Sequence, residues 1–146
     1  VGGMKGVIAK TITLFNEVGK EMDRACLVTV LSECLIIPNV ALQDYIAWEA
    51  IDDTHVKATI SYYGYGVSAS GIFTFSESGE MLSFTTNDRT NTAIDGTSQQ
   101  VAWSAILSDY KDMNGIKQPT ILQAIWHYES GDLIYFDSDN VVIEFH

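Results

Sequence analysis

Apolar and polar residues alternate with a period of two along most of this chain, and a helical period governs one early segment. Val7 to Phe15 is rich in β-branched residues, with Ile8, Ile12 and Leu14 on the parity of Lys10, which predicts a strand. Asp23 offers an N-cap. Leu27, Val30, Leu31 and Cys34 follow at i, i+3, i+4 and i+7, predicting an amphipathic helix over 24–34 that Pro38 ends. From Ile46 the period becomes two and stays there. Ile46, Trp48 and Ala50 alternate with Ala47, Glu49 and Ile51. Asp52-Asp53-Thr54 reads as a turn. Val56, Ala58, Ile60 and Tyr62 form one side of the next strand, which Gly64-Tyr65-Gly66 breaks. Val67, Ala69, Gly71, Phe73 and Phe75 follow, then a Ser78-Gly79 hairpin into Leu82, Phe84 and Thr86. Thr90 to Ser98 reads as a polar loop. Gln99 to Met113 is a long strand, and Asn114-Gly115 is the strongest hairpin signal in the chain. Strands at 121–128, 133–136 and 141–145 complete the series, with a turn at Ser130-Gly131-Asp132.

This order of elements predicts an α+β, mainly β fold: a meander of about eight antiparallel strands with one early helix. A parallel βαβ sheet would need further helices between the strands. The late strands are apolar on both parities, with Val101, Trp103 and Leu107 against Ile106 and Tyr110, and Ile125 against Trp126 and Tyr128. Part of the second sheet face therefore needs cover, and a strongly curved sheet wrapped around the helix would supply it.

Composition narrows the classes. The 146 residues suit one domain over 1–146, and 47% hydrophobic with 18% charged residues is too apolar for a disordered tail. The net charge of −11 argues against nucleic acid or an anionic membrane as partner. Most of that charge lies in 46–146, where Lys57, Arg89, Lys111 and Lys117 stand against fourteen carboxylates. The chain holds no apolar run long enough for a transmembrane segment, and its start shows no signal-peptide pattern. Val1-Gly2-Gly3-Met4 reads as a tag scar or the cut edge of a longer protein. Cys26 and Cys34, eight residues apart on one helix, lie too far from each other for a disulfide, which fits a reducing compartment.

Catalytic and metal motifs are weak. Ser68-Ala69-Ser70-Gly71 sits in a strand pattern, not a nucleophile elbow. His55, His127 and His146 lack ligand spacing, and Asp137-Ser138-Asp139-Asn140 lacks the glycine and glutamate of a calcium loop. No catalytic residue, metal or cofactor is assigned. Glu49, Asp52 and Asp109 allow a carboxylate-based hydrolase only if two of them face each other across a cleft. Arg89, at a strand end before the polar loop, either ties that loop to Asp88, Asp95 or a neighbouring acid, or clamps a ligand carboxylate. The many aromatic residues serve first as core, and rings on a curved sheet could also line a cavity for an apolar ligand.

Further residues carry a resemblance. Glu33 with Pro38, Ala41-Leu42, Ile46 to Asp52, Phe73-Thr74-Phe75 with Glu77 and Gly79, Asp88-Arg89 and Trp103 stand in a characteristic order. Asp109-Tyr110, Gly115, Pro119, Ala124-Ile125-Trp126 and Gly131-Asp132 with Tyr135 continue it. Over residues 20–145 the chain resembles an uncharacterised bacterial domain-of-unknown-function family, whose members are often longer and often carry a membrane segment upstream. Leu35 and Val101-Ala102 depart from its pattern, which often has tryptophan and proline there. The resemblance implies a lipoprotein-carrier-like (LolA-like) half-barrel, no transferable activity, and a chain that forms the C-terminal part of a longer protein. The compartment expected is cytoplasmic, from the free cysteines, or membrane-attached through a segment outside this chain, as the resemblance implies.

The reading that follows is a non-catalytic binding module. It would hold an apolar or lipid-like ligand, or a protein segment, in the concave sheet face, with Trp48, Trp103, Tyr110 and Trp126 as wall and Arg89 at the rim. The alternatives are the carboxylate hydrolase and a structural interaction domain whose second sheet face docks another chain, including a homodimer partner.

Overall fold

The computed structural model describes residues 3–8, 12–37, 39–62, 66–93 and 96–144. Strands β1 (Gly3–Ile8) and β2 (Ile12–Val18) form an antiparallel hairpin. Helix α1 (Lys20–Glu33) and a short 3-10 turn (Val40–Leu42) precede a meander. Its strands are β3 (Ile46–Ala50), β4 (His55–Tyr62), β5 (Val67–Phe75) and β6 (Met81–Thr86). A small ribbon, β7 (Thr90–Thr92) and β8 (Ser98–Gln100), interrupts it. The meander resumes with β9 (Ala102–Met113), β10 (Ile116–Tyr128) and β11 (Gly131–Ser138). Seven of these strands make one antiparallel sheet in the order β11-β10-β9-β6-β5-β4-β3.

The mainly β class with one helix stands, and several details are corrected. The strand expected over 7–15 is a hairpin. The polar loop over 90–98 is the β7–β8 ribbon, whose Thr, Asn, Ser and Gln residues give no apolar alternation. The single strand over 99–113 divides at Val101. No strand forms over 141–144, although the Val141 N–H donates to the Thr120 carbonyl at 3.0 Å. Pro38, Tyr65 and Asp95 lie outside the described residues.

The helix starts earlier than its apolar period suggests. Gly19 holds the N-cap position with φ +122°, and the Asp23 N–H already donates to the Gly19 carbonyl. Val28, Leu31 and Cys34 are buried, whereas Val30 is 41% exposed. The helix is therefore turned so that Val28 replaces Val30 on the face that packs against β4 and β5.

Directly paired residues share a sheet face. One row across the sheet runs Val56, Phe73, Phe84, Ala105, Ala124, Phe136. Phe73 and Phe84 are fully buried, with ring centroids 4.8 Å apart, so this is the helix-side face. Gly71 makes that contact fit: a Cβ there would lie 2.3 Å from the Phe84 ring and 2.8 Å from the Thr85 carbonyl oxygen.

The expected strong curvature is absent. The sheet is open and not strongly curled, with β3 and β11 as edges. The physical reason is width. Six strand spacings of ~4.8 Å span ~29 Å, whereas one helix is ~10 Å across. The single helix can occupy β4 and β5, and it offers β9–β11 nothing to wrap around.

Candidate functional site

Two places on the helix-side face gather chemistry. The first follows from the register of β9 and β10. Trp103 pairs with Trp126, and Thr86 on β6 also faces Trp103. Arg89, just past β6, reaches over both indoles, its Cζ 4.5 Å from the Trp103 ring centroid and 5.4 Å from that of Trp126. A bulge between Ala124 and Ile125 in the β10–β11 pairing makes Tyr135 the extra residue. The Trp103 indole N–H donates to the Tyr135 hydroxyl at 2.9 Å, and the Tyr135 ring lies 6.0 Å from Trp126. The ribbon is tied down beside them, because the Asn91 amide donates to the Tyr128 hydroxyl at 2.5 Å and the Val101 N–H to the Arg89 carbonyl.

Of the loop ties expected of Arg89, the one to Asp88 is not made, and Asp95 lies outside the described residues. Asp88 accepts from the Ser70 N–H at 2.7 Å and the Ser70 hydroxyl at 3.0 Å. Among the described residues no carboxylate pairs with the Arg89 guanidinium. Two residues along β9, Ala105 pairs with Ala124, flanked by Phe84 and Phe136, and then Leu107 pairs with Leu122. Trp103, Leu107 and Ala124 are buried, so this stretch, ~13 Å long from Trp103 to Leu107, belongs to the hydrophobic core.

The second place is a cleft of about 370 Å³ between the turn after α1, the β5–β6 hairpin and the β9–β10 hairpin. Asp109 shapes it. Its φ of +52° breaks the alternation of Trp103, Ala105 and Leu107, so that Tyr110 joins Leu107 on the cleft wall. The Thr120 hydroxyl 2.6 Å away and then Lys111 hold the Asp109 carboxyl below its usual range. The Tyr110 hydroxyl donates to the Met81 carbonyl at 2.6 Å, and its pKa is pushed up to about 12 by burial and by Glu80. At the mouth, Lys117 Nζ lies 2.6 Å from Glu80 Oε1, and that bond lowers Glu80 to about 2 with help from Ser78 and Ser76. Gln118 also lines the cleft. It is 6% exposed, and its side-chain oxygen accepts no hydrogen bond from the described residues.

The five candidate wall and rim residues therefore divide. Arg89, Trp103 and Trp126 come together, and Tyr110 belongs to the cleft. Trp48 stands apart on the edge strand β3, its ring 5.5 Å from Phe73 and its N–H donating to the Ala41 carbonyl. Five strand spacings, ~24 Å, separate β3 from β10.

A third constellation escaped sequence reasoning because three strands supply it. On the opposite sheet face, Ser104 Oγ lies 2.8 Å from His127 Nε2, and His127 Nδ1 lies 2.8 Å from Asp132 Oδ1. The order of groups is that of a serine hydrolase relay. Its surroundings are not. Ser104 is buried and shares its hydroxyl with Thr85 at 2.9 Å. Strand β9 is paired on both sides there, so its backbone N–H groups are committed to the ladder and none is left to form an oxyanion hole. The relay therefore locks β6, β9, β10 and β11 together. The carboxylates considered for hydrolysis each have local partners: Asp52 caps its turn through Thr54 and His55, Asp109 holds Thr120 and Lys111, and Glu49 faces Lys57 across β3–β4.

Among the described residues no three His, Cys, Asp or Glu side chains gather to hold a metal ion, and no helix is long and apolar enough to cross a membrane. Cys26 and Cys34 are both free, and burial raises the Cys34 thiol to about 11.

No curated protein and no solved structure matches the chain. A model of one protein family does, over residues 1–138, and the chain accordingly belongs to the family of unknown function DUF6544.

Proposed function

We propose that this protein is a non-catalytic binding module for a lipid-like ligand with an anionic head. The site is the Arg89 end of the helix-side sheet face, with Arg89 as the head-group partner and Trp103 and Trp126 beneath it. One observation carries the reading: a partly buried guanidinium lies on two indoles, and no described residue accepts from it. A cation in that setting ordinarily has a counter-charge, and its in-plane donors match a carboxylate. Leu133 and Phe136, each about half exposed and paired with Trp126 and Ala124, offer an alkyl chain apolar surface beside the two indoles. Calorimetric titration with decanoate and with decanol tests the reading. Decanoate should bind about tenfold more tightly, as expected for one charge-assisted pair. Arg89→Met should bring decanoate down to the affinity of decanol. Equal affinity of the unaltered protein for both probes overturns the reading.

A second reading attaches to β11. Leu133, Ile134, Tyr135 and Phe136 are each about half exposed on this sheet edge, a surface that favours addition of a partner strand. Two copies paired with Leu133 opposite Phe136 would set Asp132 against Asp137, so the edge suits a segment with basic flanks better than a second copy. Light scattering distinguishes the two: a dimer that Ile134→Lys dissolves would contradict the preference for a basic partner.

A further inference from the structure

We propose, building on the edge-strand reading of β11, that its partner is an extended segment with lysine or arginine at two positions four residues apart and apolar residues beside each of them on the inside. Alternate backbone N–H and C=O groups of an edge strand face away from its one neighbour, so β11 can take a further strand opposite β10. The side chains of β11 then decide which strand fits.

A strand lying along β11 as β10 does meets them in a fixed order. Gln123, Ala124, Ile125, Trp126 and His127 of β10 stand opposite Asp137, Phe136, Ile134, Leu133 and Asp132. The bulge at Tyr135 brings the two aspartates into step. They are five residues apart on β11 but face residues four apart, ~13 Å, on its neighbour, and so share one sheet face. In an unbulged strand that odd spacing would put them on opposite faces. Their face is the one away from the helix, because Phe136 lies in the row of Phe73 and Phe84 on the other side. Leu133 and Phe136, each about half exposed, give the helix side of the edge an apolar character.

Charge completes the pattern. From Gln118 to His146 the chain holds five carboxylates, Glu129, Asp132, Asp137, Asp139 and Glu144, and no lysine or arginine. Asp132 Oδ1 lies 2.8 Å from His127 Nδ1, and Asp137 Oδ1 accepts from the Gln123 amide at 3.0 Å. Neither Oδ2 accepts a hydrogen bond from the described residues, so each carboxylate keeps an oxygen for a cation on an incoming strand. A second copy would set carboxylate against carboxylate, whereas a lysine opposite each aspartate makes the favourable cross-strand pair.

Two synthetic peptides test the spacing. Acetyl-Thr-Lys-Val-Thr-Val-Lys-Thr-amide carries the pattern, and acetyl-Thr-Lys-Val-Thr-Lys-Val-Thr-amide keeps the composition but turns the second lysine to the apolar side. Titration of the full chain, followed by the backbone amide resonances of β11, should show the first peptide binding about threefold or more tightly than the second, as expected for one exposed ion pair and one lysine taken off apolar surface. Raising the salt from about 0.05 M to about 0.5 M should narrow that gap, because exposed pairs are screened. Asp137→Lys should weaken the first peptide and favour its variant with glutamate in place of the first lysine, with the near-ultraviolet circular dichroism intact. Equal binding of the two peptides at β11, or an unchanged preference in Asp137→Lys, overturns the proposal and leaves the edge-strand reading standing. Resonances of β11 that neither peptide moves overturn both.

Discussion

Replacing Gln118 by leucine should make the empty protein more stable, an uncommon direction for a change at a buried position. The side chain is 6% exposed, and its oxygen has no partner among the described residues. Leaving a buried acceptor unsatisfied costs about 1–3 kcal/mol. Leucine removes that cost and fills similar space with apolar atoms that suit Leu107, Met81 and Pro119. Loss of hydration of the amide N–H groups offsets part of the gain, so the expected net is about 1 kcal/mol. Unfolding entropy near the midpoint is about 2.1 cal/mol/K per residue, which for this chain is about 0.3 kcal/mol/K and gives a rise in Tm of about 3 °C. Urea titration followed by tryptophan fluorescence should show a higher midpoint with an unchanged slope. A destabilisation of about 1 kcal/mol or more would refute the reasoning, since it would mean that the amide is already bonded where the structure leaves it open.

Other outcomes follow from the same geometry. Gly71→Ala should destabilise by about 1–3 kcal/mol, because its methyl meets the buried Phe84 ring; an unchanged urea midpoint would contradict the close approach. The Glu80 carboxyl is lowered from 4.5 to about 2, so its contribution is complete above its unfolded pKa and is lost as pH falls from about 4.5 to about 2. Stability measured across that window should decline less steeply in Glu80→Gln, and identical slopes would remove the Lys117 pair from the account. His127→Ala should cost about 1–2 kcal/mol by leaving the buried Ser104 hydroxyl with fewer partners, and a fluorophosphonate probe should leave Ser104 unlabelled in the unaltered protein. Stoichiometric labelling would return the relay to catalysis.

The parts of this fold that depend on neighbours in sequence were legible there. Period-two alternation located β3 to β6, and Asn114-Gly115 located the β9–β10 hairpin, where φ is +58° and +83° as a tight turn of that sequence requires. The parts decided by register were not. Asp109 looks like any exposed acid until Thr120 and Lys111 are seen to hold its left-handed backbone. Pro119 argues against a strand, yet it lies in the part of β10 that β11 does not reach, where a missing donor is tolerated. Placing the start of β10 at 121 hid Gln118. Arg89, Trp103 and Trp126 could be named as interesting residues, and only the pairing of Trp103 with Trp126 put them in contact. Curvature depends on how much of a face is covered, and one amphipathic helix in the sequence does not state that width.

The three tryptophans offer the most direct test of the binding account, because each indole N–H gives its own nuclear magnetic resonance signal. Titration with decanoate should shift the signals of Trp103 and Trp126, which lie under Arg89, and leave that of Trp48 in place on the far edge. Signals that stay fixed up to decanoate saturation, or a shift confined to Trp48, would contradict it.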